Sequence, residues 1–164
     1  MRVALVMVTL FVPLPLLSLP AAAQTAVSMQ GGFTSGEGER YVELGLRVGP
    51  EPATPIGMGL SLDLYPEFAV AGALAGVTDL SLTGNLRLAR TVTLELRAGG
   101  SALIAVGAGL GAVIPGYHLG AGLVLTPSAW RKSGLRVDYT YRRLSIEGDG
   151  SPLPSLTVGI LMRY

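Results

Sequence analysis

Along most of this chain, apolar and polar side chains take turns, one residue each. Val42, Leu44, Leu46 and Val48 alternate with Tyr41, Glu43, Gly45 and Arg47. Ile56, Met58, Leu60, Leu62 and Leu64 alternate with Gly57, Gly59, Ser61 and Asp63. A period of two is the signature of a β-strand with two unlike faces. The same reading gives strands over 27–33, 41–48, 56–64, 79–88, 92–98, 117–125, 135–142 and 155–164, eight in all. On the apolar face of these segments, 34 of 36 positions carry apolar side chains and the other two are Gly31 and Gly84.

The second face holds nearly all of the in-strand charge: Glu43, Arg47, Asp63, Asp79, Arg87, Glu95, Arg97, Arg136, Asp138, Arg142 and Arg163. A one-residue slip in register would exchange the faces. In lipid an arginine at mid-depth costs about 2–4 kcal/mol and an acidic residue less. Even at about 2 kcal/mol each, 11 misplaced charges would cost on the order of 20 kcal/mol, more than a whole domain's usual stability. The alternation therefore fixes the register.

Alternation alone does not say which face meets water. The polar face is also small, with Gly45, Gly57, Gly59, Ser61, Ser81, Thr83, Thr93, Gly120, Gly122, Thr140, Ser155, Thr157 and Gly159. Small side chains suit the packed interior of a narrow eight-stranded barrel. A solvated face would favour lysine, yet the chain has one, Lys132. Strands of roughly 9–11 residues match a tilted bilayer crossing. An open edge in lipid would strand backbone groups, so a membrane sheet must close on itself. The expected fold is an all-β, eight-stranded antiparallel up-and-down transmembrane β-barrel with both termini on the periplasmic side. Its charged face would form a lumenal network that leaves the lumen largely closed. Periplasmic connections are expected at 49–55, 89–91 and 126–133, and outer ones at 35–39, 66–78, 101–116 and 147–153. Two outer connections hold apolar segments, 68–77 and 102–114, which extend the strands or fold over the mouth. Trp130, Tyr65, Phe68 and Tyr164 near strand ends are candidates for interfacial aromatics.

The amino-terminal segment has a different pattern. Met1-Arg2 precedes an apolar run, Val3 to Leu17, and Pro20-Ala21-Ala22-Ala23 supplies small residues for cleavage. We expect a signal peptide over 1–23 and a barrel domain over 24–164. With 14% charged residues, 23 glycines, no cysteine and a net charge of +1, the chain excludes disulfide scaffolds, thiolate metal sites and cysteine nucleophiles. The same balance offers nothing to a nucleic acid.

The ending Val158-Gly159-Ile160-Leu161-Met162-Arg163-Tyr164 resembles the C-terminal assembly signal of bacterial outer-membrane barrels. Gly159, Met162 and Tyr164 match it, and Val158 stands where a polar residue is usual. With the eight strands, the chain resembles the small outer membrane protein A-like and W-like barrels of Gram-negative bacteria over the whole span 24–164. That resemblance implies a monomeric, porin-like or structural protein in outer-membrane lipid. It also implies the barrel-assembly machinery and periplasmic chaperones as transient partners, and structural, adhesive or small-solute roles.

Some eight-stranded barrels modify lipid A. The deacylases among them use a histidine and a serine two residues apart, but the only histidine here, His118, is followed two residues later by Gly120. The palmitoyl-transfer barrels use His, Asp and Ser without that spacing, so a lipid A-modifying enzyme stays open as an alternative. So does a soluble lipocalin-like barrel with its apolar face inward around a ligand. Gly107-Ala108-Gly109-Leu110-Gly111-Ala112 has dinucleotide-type glycine spacing, but Pro115 and Gly116 oppose the helix that motif needs. Glu147-Gly148-Asp149-Gly150 lacks the ligand spacing of a calcium loop and reads as a turn. No cofactor, no metal and no catalytic residue are expected.

Overall fold

The computed structural model describes residues 25–36, 38–70, 72–107, 110–130, 132–146 and 149–164. The signal peptide expected at 1–23 lies outside them. Eight antiparallel strands close into a barrel in chain order, each pairing with the next and β8 with β1. They are β1 (Thr25–Gly36), β2 (Glu39–Pro50), β3 (Ile56–Leu64), β4 (Ala73–Ala89), β5 (Val92–Gly107), β6 (Leu110–Leu125), β7 (Ser133–Ile146) and β8 (Asp149–Arg163). A short helix, α1 (Pro66–Val70), sits between β3 and β4. Both ends of the described chain lie at one rim, where Tyr164 N–H donates to the Thr25 carbonyl at 3.1 Å. We call this the terminal rim and the opposite one the far rim.

The barrel is inside out relative to a water-soluble domain. Leu44, Leu60, Leu86 and Leu123 are 54%, 46%, 59% and 45% exposed, whereas Arg47, Arg97 and Arg136 are 2%, 8% and 4% exposed. A lipocalin-like interior would need the leucines within, so that alternative is the opposite of what the structure has. Register lines the outer residues into apolar cross-strand pairs such as Met29 with Leu46, Leu60 with Leu80, Leu94 with Leu123 and Val137 with Val158.

Two segments expected as outer connections are mostly strand. β4 starts at Ala73, β5 runs to Gly107 and β6 begins at Leu110, so much of 68–77 and 102–114 belongs to three strands of 16 or 17 residues. Period-two contrast is missing there because both faces are apolar. Ala75, Val77, Leu103 and Ala105 turn inward, while Leu74, Ile104 and Val106 turn outward. The glycine-rich stretch from Gly107 spans the β5–β6 hairpin and leads into a strand, not a helix.

β3 is shorter than its neighbours, ending at Leu64. Above it α1 fills the wall between β2 and β4. The Glu67 carboxylate accepts the Val42 N–H that β3 would otherwise have engaged, and Tyr65 N–H donates to the Ala75 carbonyl at 3.0 Å. The β1–β8 ladder stops at Thr34 and Ser155. Beyond it β8 carries Pro152 and Pro154, which have no N–H to leave unpaired on that free edge.

Candidate functional site

Nine of the eleven in-strand charges named above are buried in the lumen, in two layers. The layer nearer the terminal rim gathers three arginines around two carboxylates. Arg47 Nη2 lies 2.6 Å from Glu95 Oε1, which also accepts from Arg136 Nη2. Arg136 Nε is 2.5 Å from Asp138 Oδ2, and Arg97 Nη2 is 3.1 Å from Asp138 Oδ1. Thr83 and Thr140 accept further bonds from Arg47 and Arg97 at 3.3 and 3.2 Å.

The other layer reverses the balance, with three carboxylates around one arginine. Arg142 Nη2 donates to Asp63 and, at 2.9 Å, to Asp79 Oδ2; its Nη1 lies 3.5 Å from Glu43 Oε1. Its Nε bonds Asp79 Oδ2 at 3.0 Å and its Nη1 donates to Ser155 Oγ at 3.3 Å. Thr34 donates to Glu43, and Gln30 donates to Asp63 at 3.2 Å. Buried charges are tolerated when they are paired and hydrogen-bonded in this way.

These pairs reach across the lumen more than between adjacent strands. Arg47 on β2 meets Glu95 on β5, and Arg142 on β7 meets Asp63 on β3. Glycine on the intervening strands makes the room. A Cβ on Gly122 would stand 2.0 Å from Asp138 Oδ1, and one on Gly45 would stand 2.1 Å from Asp63 Oδ1. Among the described residues, no group of three or more His, Asp or Glu is arranged to hold a metal ion.

Arg87 and Arg163 stand apart from both layers. Arg87 is exposed, because β4 outruns β3, whose last pairing with it is Ile56 with Gly84; its Nη2 donates to the Arg90 carbonyl at 3.1 Å. Lumenal placement does not hold for it. Arg163 sits at the terminal rim, 3.4 Å from Glu51 Oε1, with its side chain 25% exposed. Below the ion pairs, Ala26, Val124 and Leu161 form a small apolar cluster inside that rim. Gly159 abuts β1, where a Cβ would lie 2.3 Å from the Met29 carbonyl oxygen. Met162 and Tyr164 point outward beside it, exposed.

A serine, a histidine and an aspartate do meet in the lumen. Ser101 Oγ donates to Asp79 Oδ1 at 2.6 Å and lies 3.0 Å from His118 Nδ1, which is 3.6 Å from the same Asp79 oxygen. Since the serine proton goes to Asp79, the short contact to His118 requires Nδ1–H to donate to Ser101. The imidazole then takes no proton from the hydroxyl, and the carboxylate and the hydroxyl share one ring nitrogen. Nucleophile activation needs the serine and the carboxylate on opposite nitrogens. All three residues are buried, and His118 Nε2 has no partner among the described residues. The trio packs and bonds; it does not form a hydrolytic centre.

Toward the far rim the lumen turns apolar. A half-enclosed cup of about 270 Å³ is lined by Tyr41, Tyr65, Phe68, Leu103, Leu144 and Leu153 among others. Phe68 of α1 stacks on Tyr41 with ring centroids 5.4 Å apart and meets Tyr65 edge-on at 6.4 Å. Tyr65 and Phe68 are thus not interfacial anchors; they belong to the cup, because α1 folds inward over the short β3. Burial pushes the Tyr65 hydroxyl above its ordinary range. Trp130 and Tyr164 are exposed near the terminal rim. Alternation did not reveal the cup, since its lining is apolar on a face otherwise marked by charge.

The fold is that of small eight-stranded outer-membrane barrels. Neisserial surface protein A superposes with a TM-score of 0.61 at 12% identity, covering 86% of this chain and 96% of that one. Ail, the attachment invasion locus protein of Yersinia pestis, gives 0.59 at 14% identity, covering 87% and 97%. The N-terminal β-barrel domain of Pseudomonas aeruginosa OprF gives 0.57 at 14%, covering 85% and 99%. No family model and no curated protein matches the sequence.

Proposed function

We propose that this chain is a non-catalytic outer-membrane barrel, exported with a leader cleaved before Gln24 and anchored by its leucine- and valine-rich outer face. The observation that carries this reading is the inversion of polarity: exposed leucines around the wall, paired charges within. Lipid supplies the apolar solvent the outer face requires, and the ion pairs supply the one the charges require. Insertion would use the closing strand, with Gly159, Met162 and Tyr164 read by the barrel-assembly machinery after delivery by periplasmic chaperones. The two interlocked layers of charge favour a monomer whose lumen is closed to a wide ionic current.

Within this class a structural or small-solute role is favoured over adhesion. Three of the four far-rim connections, at 37–38, 108–109 and 147–148, are only two residues long. That leaves little loop to fold into a recognition surface. The experiment is electrophoresis of the isolated outer-membrane fraction with and without heating in SDS. A compact band that shifts on boiling, found in that fraction, is the expected result. A protein that is soluble without detergent and shows no shift overturns the proposal.

A further inference from the structure

We propose that the far-rim cup is a binding site for a neutral apolar molecule with a single carbonyl or hydroxyl tip, such as a medium-chain alcohol. The inference takes the membrane reading above as its premise and names the ligand class for which that barrel is built. Three observations carry it. The first is volume: the cup holds about 270 Å³, and a dry cavity of about 150 Å³ is already enough to bind benzene. The lining is apolar side chain almost throughout, with Phe68, Leu103, Leu144 and Leu153 around the walls.

The second is an unmet donor. Tyr65 is 4% exposed, lines the cup, and its hydroxyl lacks a hydrogen-bond partner of ordinary geometry among the described residues. Thr34 Oγ beside it gives its own proton to Glu43 and approaches the Tyr65 hydroxyl outside ordinary hydrogen-bond geometry, so it does not hold that donor as a proper partner would. A buried unpaired hydroxyl is costly, and a guest bearing an acceptor oxygen repairs it. Apolar walls with one polar group fixing orientation are the ordinary form of a small-molecule site.

The third is the charge of the floor. Directly beneath lie Glu43, Asp63 and Asp79 with Arg142, a surplus of acid over base. An inward-pointing carboxylate would be repelled and find its only cation already engaged three ways. The floor therefore selects a neutral tip over a fatty acid.

The test uses the folded full-length barrel in lipid nanodiscs, with 3-fluorotyrosine incorporated and the Tyr65 resonance identified by its loss in Tyr65→Phe. Titration with 1-octanol is expected to move the Tyr65 and Tyr41 signals saturably while lipid-facing Tyr139 and Tyr164 drift without saturation. Octanoate at pH 8 should bind at least tenfold more weakly. Tyr65→Phe, read at Tyr41, should weaken octanol several-fold, and Ala75→Trp, which fills the cup, should abolish saturation. Should Ala75→Trp fail to fold, Ala105→Leu is the milder filling variant and should weaken octanol at least tenfold. Uniform unsaturable drift at all tyrosines, or saturation that survives filling, overturns the site. Octanoate binding as tightly as octanol overturns the assigned ligand class. The heat-shifted band, scored on the same samples, separates failure of this site from failure of the membrane reading.

Discussion

Replacing Arg142 with methionine removes the cation on which the upper layer of the lumen depends. Its guanidinium serves Asp63, Asp79 at 2.9 and 3.0 Å, Glu43 at 3.5 Å and Ser155 at 3.3 Å. Methionine keeps an unbranched apolar stem, is two atoms shorter, and loses every one of these contacts. Three carboxylates, all 3% exposed or less, then face one another with His118 as the nearest basic group, 3.6 Å from Asp79. Removing one partner of a buried pair typically costs about 3–5 kcal/mol, because the charge left behind stays buried without compensation. We expect a loss in that range here, since all three carboxylates are buried and Arg142 is the one arginine paired with them among the described residues. The assay is urea unfolding from lipid vesicles, followed by the fluorescence of Trp130, the only tryptophan, and by the heat-shifted band. Replacing Glu43, Asp63 and Asp79 with Gln, Asn and Asn in the same chain should recover most of the loss, since the stranded charges are then gone. A variant within about 0.5 kcal/mol of the parent, the usual span of a neutral surface change, would refute the argument that these charges are sealed from solvent.

Other perturbations probe separate parts of the account. Gly122→Ala should cost about 1–3 kcal/mol, because the new Cβ displaces the Asp138 carboxylate from Arg97; Gly84→Ala, which meets nothing within 4 Å, should be close to neutral in the same unfolding assay. Leu60→Arg, in the middle of β3 and facing outward, should cost about 2–4 kcal/mol, whereas Leu88→Arg near the terminal rim should cost about 0–1 kcal/mol. In planar bilayers the protein should give no large steady single-channel current; a persistent wide conductance would show that the two charged layers do not close the lumen. Mass measurement of the protein from outer membranes should place its first residue at Gln24, and an uncleaved chain would remove the leader from the account.

Much of this barrel is written in the contrast between its faces. Where one face is charged and the other leucine-rich, as over 41–48 or 135–142, a reader of the sequence can place strand, register and orientation. Where the contrast fades, legibility goes with it. Ala73–Val77 and Leu103–Gly107 are strands with apolar residues on both sides, so they resemble loops or buried segments until their partners are known. Val124 and Leu161 turn inward at positions that alternation marks as polar. The partners of the lumenal charges were not readable either, since period two gives a face and not a cross-lumen neighbour. Gly45, Gly120 and Gly122 did carry a signal: small residues beside charged positions mark the gaps through which long side chains reach. The cup needed the fold itself, because it depends on β3 stopping at Leu64 and α1 tipping Phe68 onto Tyr41.

The absence of native cysteine allows the polarity of the wall to be measured directly. Nitroxide labels placed singly through Leu44→Cys, Leu60→Cys, Leu86→Cys and Leu123→Cys, with the barrel in lipid vesicles, report collisions with dissolved oxygen and with a water-soluble nickel chelate. The account predicts frequent collisions with oxygen and few with nickel at all four positions. Nickel access equal to that of a free label in water, or a label walled off from both reagents inside a core, would contradict it.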